Sequence, residues 1–171
     1  MTLPVIPGQF GDTDGLSLSA FLAGQYEAEL QMFRASLDGV DGAHFAQAGA
    51  GHSAAWHALH VADWLRLTVL EDRTPNYHYL GWEDKPWVAP MQAQPAPLHE
   101  DAPRADILAR LDTVAAQAVA AIRAMTPDTL LGMAYAPSAP TGERPRLPAL
   151  GMHLRHVAYH RGQVQLGKKS G

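Results

Sequence analysis

The chain has 171 residues, no cysteine, and a net charge of −4 from 13 basic and 17 acidic residues. That length suits one domain over 1–171, able to bury roughly 70% of its unfolded surface. The missing cysteines exclude disulfides, thiolate metal sites and a cysteine nucleophile, and the basic residues form no run beyond Lys168-Lys169, which disfavours a nucleic-acid partner.

The N-terminus, MTLPVIPGQFGDTDG, has neither a basic n-region nor an apolar h-region, so no secretory signal is expected. No stretch approaches the ~18 continuous apolar residues of a membrane span. The default is a soluble, cytoplasmic protein with no membrane partner. The first helix is expected over Ser19–Leu37, where Leu22, Tyr26, Leu30, Phe33 and Leu37 form one stripe. Ser17 or Ser19 can cap its start and Gly39 can end it. The second helix is expected over Ser53–Leu70. Its apolar residues surround it more fully, which predicts a central position. Such a helix can also bury one face against a second copy, so a homodimer is expected.

About 30 residues rich in proline and aromatics follow, from Thr74 to Pro103. A structureless connection of that length is often functional. Within it, Tyr77, His78, Tyr79, Trp82 and Trp87 lie close together. They could form a wall or lid shaping an apolar pocket, or they could pin the loop to the helices or to a partner copy. The third helix is expected over Pro103–Met125, with Ile107, Leu111, Val114, Ala118, Ile122 and Met125 as its seam. Thr126 can cap a short turn of helix. MAYAPSAPTGERPR reads as a loop, and the fourth long helix is expected over Pro148–Leu166, with Pro148 as initiator. No alternating strand pattern is evident. Four long amphipathic helices with long connections predict an all-α four-helix bundle.

Nine histidines stand out. His156 and His160 are four apart, about 40° from each other around a helix and one turn apart. That geometry lets one helix offer two imidazoles to one ion, though the spacing alone also describes a surface or core pair. Gly162 lies two residues on; a glycine inside a helix costs about 1 kcal/mol, which suggests close helix approach or plain packing there. A third ligand must come from another helix. His60 shares a face with Trp56, Leu59 and Leu67 and is the best inward candidate; His57, about 60° away, stays open, although it and His52 read rather as a solvated flank.

HVADW at 60–64 and HVAYHRGQV at 156–164 resemble the paired histidine motifs of the DinB/YfiT-like metalloenzyme family. The resemblance implies an up-down-down-up four-helix bundle, often dimeric. It implies a divalent metal held by His60, His156 and His160, with no further cofactor. His153 has no counterpart in that pattern and could be an extra ligand, a supporting group or a surface residue. Three imidazoles suit Zn, Ni, Fe or Cu better than Mg or Ca; Zn or Ni come first, with Fe or Mn next. A three-ligand tripod leaves a position open, as catalytic sites do. The resemblance further implies a thiol S-transferase or a hydrolase acting on a small molecule, with a low-molecular-weight thiol as cosubstrate in the former case. The competing reading is a non-catalytic metal-binding bundle or an interaction protein. No catalytic residue is assigned: Asp63 could orient a ligand or water, or pair with Arg66 or Arg155. Gln163 reads as a supporting residue, and Tyr159 and Arg161 as pointing sideways.

Overall fold

A computed structural model describes residues 17–49 and 51–169. The N-terminal segment read for a secretory signal lies outside them. Among the described residues the chain is mostly helical: α1 (Leu18–Asp38), α2 (Ala54–Thr68), α3 (Arg104–Arg123), the short α4 (Pro127–Leu131) and α5 (Arg146–Lys169). One small antiparallel hairpin, β1 (Met133–Tyr135) and β2 (Glu143–Pro145), pairs Ala134 with Arg144. No described helix is long and apolar enough to cross a membrane.

Local chemistry accounts for the helix ends. The Ser17 side chain accepts from the Ala20 N–H at the start of α1, and Gly39 closes that helix. Ser53 caps α2 through the Trp56 N–H, and Thr126 caps α4 through the Thr129 N–H. α5 begins at Arg146, two residues before the expected Pro148. Proline is tolerated there because the N–H groups of a first turn have no intrahelical partner to lose.

α1 and α2 each pack against both α3 and α5. The main core runs through Tyr26, Phe33, Leu65, Ile107, Ile122 and Leu150, all fully or almost fully buried. α2 is buried nearly all round: every residue from Ala55 to Asp63 is shielded. Both of its apolar faces are therefore used inside the chain, which removes the ground on which its pattern suggested a second copy. Gly162 is exposed, with nothing within 4 Å of where a Cβ would sit, so it marks no close helix approach.

The hairpin replaces an expected loop. Its strands have three residues each, too few to show an alternating pattern. Its place is fixed from outside by Glu71, just beyond α2. One Glu71 carboxylate oxygen accepts from the Tyr135 N–H and the other from Arg146 at 2.9 Å. Arg146 also donates to the carbonyls of Thr129 and Met133, so one arginine joins α4, β1 and the start of α5. Glu71 itself adopts φ +50°, an uncommon left-handed conformation for a residue with a side chain.

Candidate metal centre

α2 carries His60 and α5 carries His156 and His160, and the packing of the two helices brings these three rings together. The Nε2 of His156 lies 3.0 Å from the Nε2 of His60 and 2.9 Å from the Nε2 of His160. His60 and His160 are buried and His156 is half-buried.

The protonation pattern follows from the partners. His60 Nδ1 is 2.6 Å from the Tyr79 carbonyl. A carbonyl only accepts, so Nδ1 carries the proton and Nε2 presents a lone pair to the centre. Burial, reinforced by His160 and His156, lowers the His60 pKa to about 2. Burial likewise lowers His160 to about 3, and lowers His156. The cluster is therefore neutral at ordinary pH. A proton on the His156 Nε2 points along one line and serves one neighbour well and the other poorly. A cation at the centre serves all three lone pairs. Nitrogens that share one ion at 2.0–2.1 Å lie about 3.3–3.4 Å apart in a tetrahedral site; the two separations at His156 are somewhat shorter, and all three donor atoms lie within 4.8 Å of one another. The donor set thus fits a divalent transition metal.

His57 is buried, not a solvated flank, and its Nδ1 lies 2.9 Å from the His160 Nδ1. For His160 to present a lone pair at Nε2, its Nδ1 must hold the proton and donate it to His57. His57 thereby sets the tautomer of its neighbour, as supporting groups of metal-binding histidines commonly do. Burial lowers its own pKa to about 4. His52 is exposed and stacks on Trp56, at 3.6 Å between ring centres; Trp56 in turn stacks on His60 at 4.3 Å. His153 is neither a surface residue nor a member of the cluster. It is buried, its Nδ1 is 3.1 Å from the Tyr26 hydroxyl, and its Nε2 has no partner. Tyr159 is exposed, with its ring edge-on to His160 at 5.1 Å between centres, and Arg161 pairs with Glu29.

Asp63, one turn beyond His60, takes both roles considered for it. It pairs with Arg66 at 3.1 Å, and its other oxygen accepts the N–H groups of His78 and Tyr79. The Tyr79 carbonyl then receives the His60 proton. Asp63 therefore orients His60 through residue 79. Gly81 follows with φ +75°, and a Cβ there would sit 3.5 Å from the His60 ring. The left-handed φ is what favours glycine there.

The aromatic loop divides its labour. Tyr77 and Tyr79 are buried anchors, whereas Trp82 and Trp87 line a cavity of about 520 Å³. His156 lines the same cavity. Another cavity, of about 570 Å³ beside Arg66 and Arg110, has no histidine in its lining.

A family model described as the DinB superfamily matches residues 25–164. Comparisons with curated proteins and with solved structures return no match.

Two expectations follow from this geometry. Asp63→Ala leaves two buried N–H groups unpaired and breaks a buried ion pair, which should cost about 3–5 kcal/mol; urea unfolding measures it, and a loss within 0.5 kcal/mol, as ~typical for surface changes, would contradict the network. Metal-free protein should also lose stability on acidification. His57, His60, His153, His156 and His160 all have pKa values lowered by burial. Below about pH 6.5 the unfolded chain gains protons that the folded chain refuses until roughly pH 4 or lower, so folding weakens across that window. Asp63, raised by burial, acts in the opposite sense, one group against five. Denaturation midpoints that stay flat from pH 7.5 to 5.5 would refute this.

Proposed function

The chain belongs to the DinB superfamily, and from that membership and its histidine cluster we propose a metal-dependent enzyme acting on a small molecule, as a thiol S-transferase or hydrolase. The observation that carries the proposal is the convergence of three neutral imidazole nitrogens from two helices beside a cavity. His60, His156 and His160 would hold a divalent transition metal, Zn or Ni ahead of Fe or Mn. When bound, such an ion supplies a Lewis acid that polarises a substrate oxygen or sulfur.

The chain's own residues do the rest. Tyr79 and His57 hold protons on the outer nitrogens of His60 and His160 and keep the inner ones free. Trp56, stacked on His60, excludes water from one side of the cluster. The half-buried His156 leaves the cavity side accessible. With no cysteine in the chain, any thiol must arrive as a cosubstrate. The packing of α1 and α2 against both α3 and α5 supports an up-down-down-up four-helix arrangement in one domain. A cytoplasmic homodimer completes the proposal, with the exposed Tyr159 on α5 as one apolar contact for a second copy.

Elemental analysis of untagged protein, purified without a metal column, tests the reading. About one equivalent of transition metal per chain is expected. The His156→Ala/His160→Ala and His60→Ala variants should lose it, since even a supporting residue accounts for about 10–100-fold in affinity. Wild-type protein that neither carries nor takes up Zn, Ni or Fe would sink the proposal; metal without turnover of thiol or hydrolysable substrates would leave a non-catalytic metal-binding bundle. His57 gives a finer check. His57→Phe keeps the volume but removes the acceptor for His160, and Zn affinity by chelator competition should fall about 10–100-fold. His57→Gln, which retains an acceptor, should recover part of the loss.

A further inference from the structure

The cavity beside the cluster is built from parts distant in sequence. Trp64 comes from α2, Trp82 and Trp87 from the long loop, and Tyr135 from β1. Amphipathicity of a single element does not explain four aromatic rings meeting around one space. Trp82 and the neighbouring Met152 remain about half exposed, at 48% and 47%. Covering such surface is favourable by the hydrophobic effect, and flat rings are the shape aromatic walls accept best. About 520 Å³ is within the usual range for small-molecule sites.

Charge narrows the class of ligand. Lys85 and Arg144 line the cavity, and no Asp or Glu does. Arg144 donates to the neutral Ser138 hydroxyl. Lys85 pairs with Asp84, which is largely exposed and outside the lining. With two cations and no carboxylate in its lining, the cavity wall carries net positive charge. His153 also lines it, buried and with its Nε2 unpartnered. A polyhydroxylated molecule would find few polar partners there, and an amine would meet like charge.

We propose that this cavity binds a flat, largely apolar organic anion, an aromatic carboxylate in its simplest form. Resting on the metal-enzyme reading, that anion is the substrate. The apolar body lies among the three tryptophans and Tyr135. The anionic group is drawn to Arg144 and Lys85, and the end nearest His156 faces the cluster.

Three probes with one ring system separate shape from charge: 2-naphthoate, 2-naphthylmethanol and 2-naphthylmethylamine. Isothermal titration of full-length, chelator-treated protein should show the carboxylate binding about tenfold tighter than the alcohol, with the amine weakest. Added salt should narrow the gap. The Lys85→Met/Arg144→Met variant keeps apolar stems and leaves the core untouched; it should bind carboxylate and alcohol alike, with affinity for the alcohol unchanged. Equal binding of all three probes, preference for the amine, no binding at all, or a gap that survives in the double variant would each overturn the proposal. Because the titration uses metal-free protein, its outcome is independent of metal uptake. Carboxylate selectivity without metal binding would remove only the enzyme reading, and metal binding without selectivity would remove only this one.

Discussion

The buried carboxylate of Asp63 is the constraint on which the site depends. An unpaired charge in that position would cost several kcal/mol, so its surroundings must supply partners. Arg66 provides one, held in turn by Asp72 and Asn76. The loop provides two more as the N–H groups of His78 and Tyr79. Residue 79 thus presents its N–H to Asp63 and its C=O to His60. Trp64 adds a third grip through the Leu80 carbonyl at 3.1 Å. His60, Asp63 and Trp64 lie at i, i+3 and i+4, on one face of α2. That face fixes the course of the loop, the loop fixes the tautomer of His60, and its continuation carries Trp82, Lys85 and Trp87 to the cavity wall.

Five histidines with depressed pKa values are expensive to keep in one region unless something uses them. Four are buried and His156 is half-buried, and a shielded ring nitrogen without a partner is costly. Tyr79 and His57 satisfy outer nitrogens, and Trp56 covers a ring face. The inner nitrogens of His60, His156 and His160 have only one another. A set of lone pairs facing inward is poorly satisfied by protons and well satisfied by one cation, which is why the geometry speaks for a metal more clearly than the spacing of two histidines on a helix does.

Much of the helical framework was legible because it rests on periodicity and caps: Ser17, Gly39 and Thr126 act where their chemistry suggests. His60 was legible from the apolar face it shares with Trp56, Leu59 and Leu67, and His156 with His160 from their spacing of four; the full set of three came from the family resemblance. His57 was not, although the clue was present. A helix apolar on two faces is central, and a central helix has no solvated flank on which to place a histidine. Gly162 misled because a glycine's cost reveals nothing about its cause. The hairpin escaped notice because pairing of three-residue strands around PSAPTG is set by Glu71 and Arg146, which are remote in sequence. Asp63 stayed ambiguous because its deciding partners are backbone N–H groups, which carry no sequence signature.

His156 is where the two halves of the site meet. It shares its Nε2 with both neighbours in the cluster, yet it is the one member left half-buried, and it lines the cavity. A cluster sealed on every side would describe a structural metal, whose ligands are all supplied by the protein. Here the helices close three directions with imidazoles, Trp56 covers the His60 ring face, and His156 opens toward a cavity lined by tryptophans, Lys85 and Arg144. The same side chain therefore both completes the tripod and sets the direction from which a small molecule can approach it.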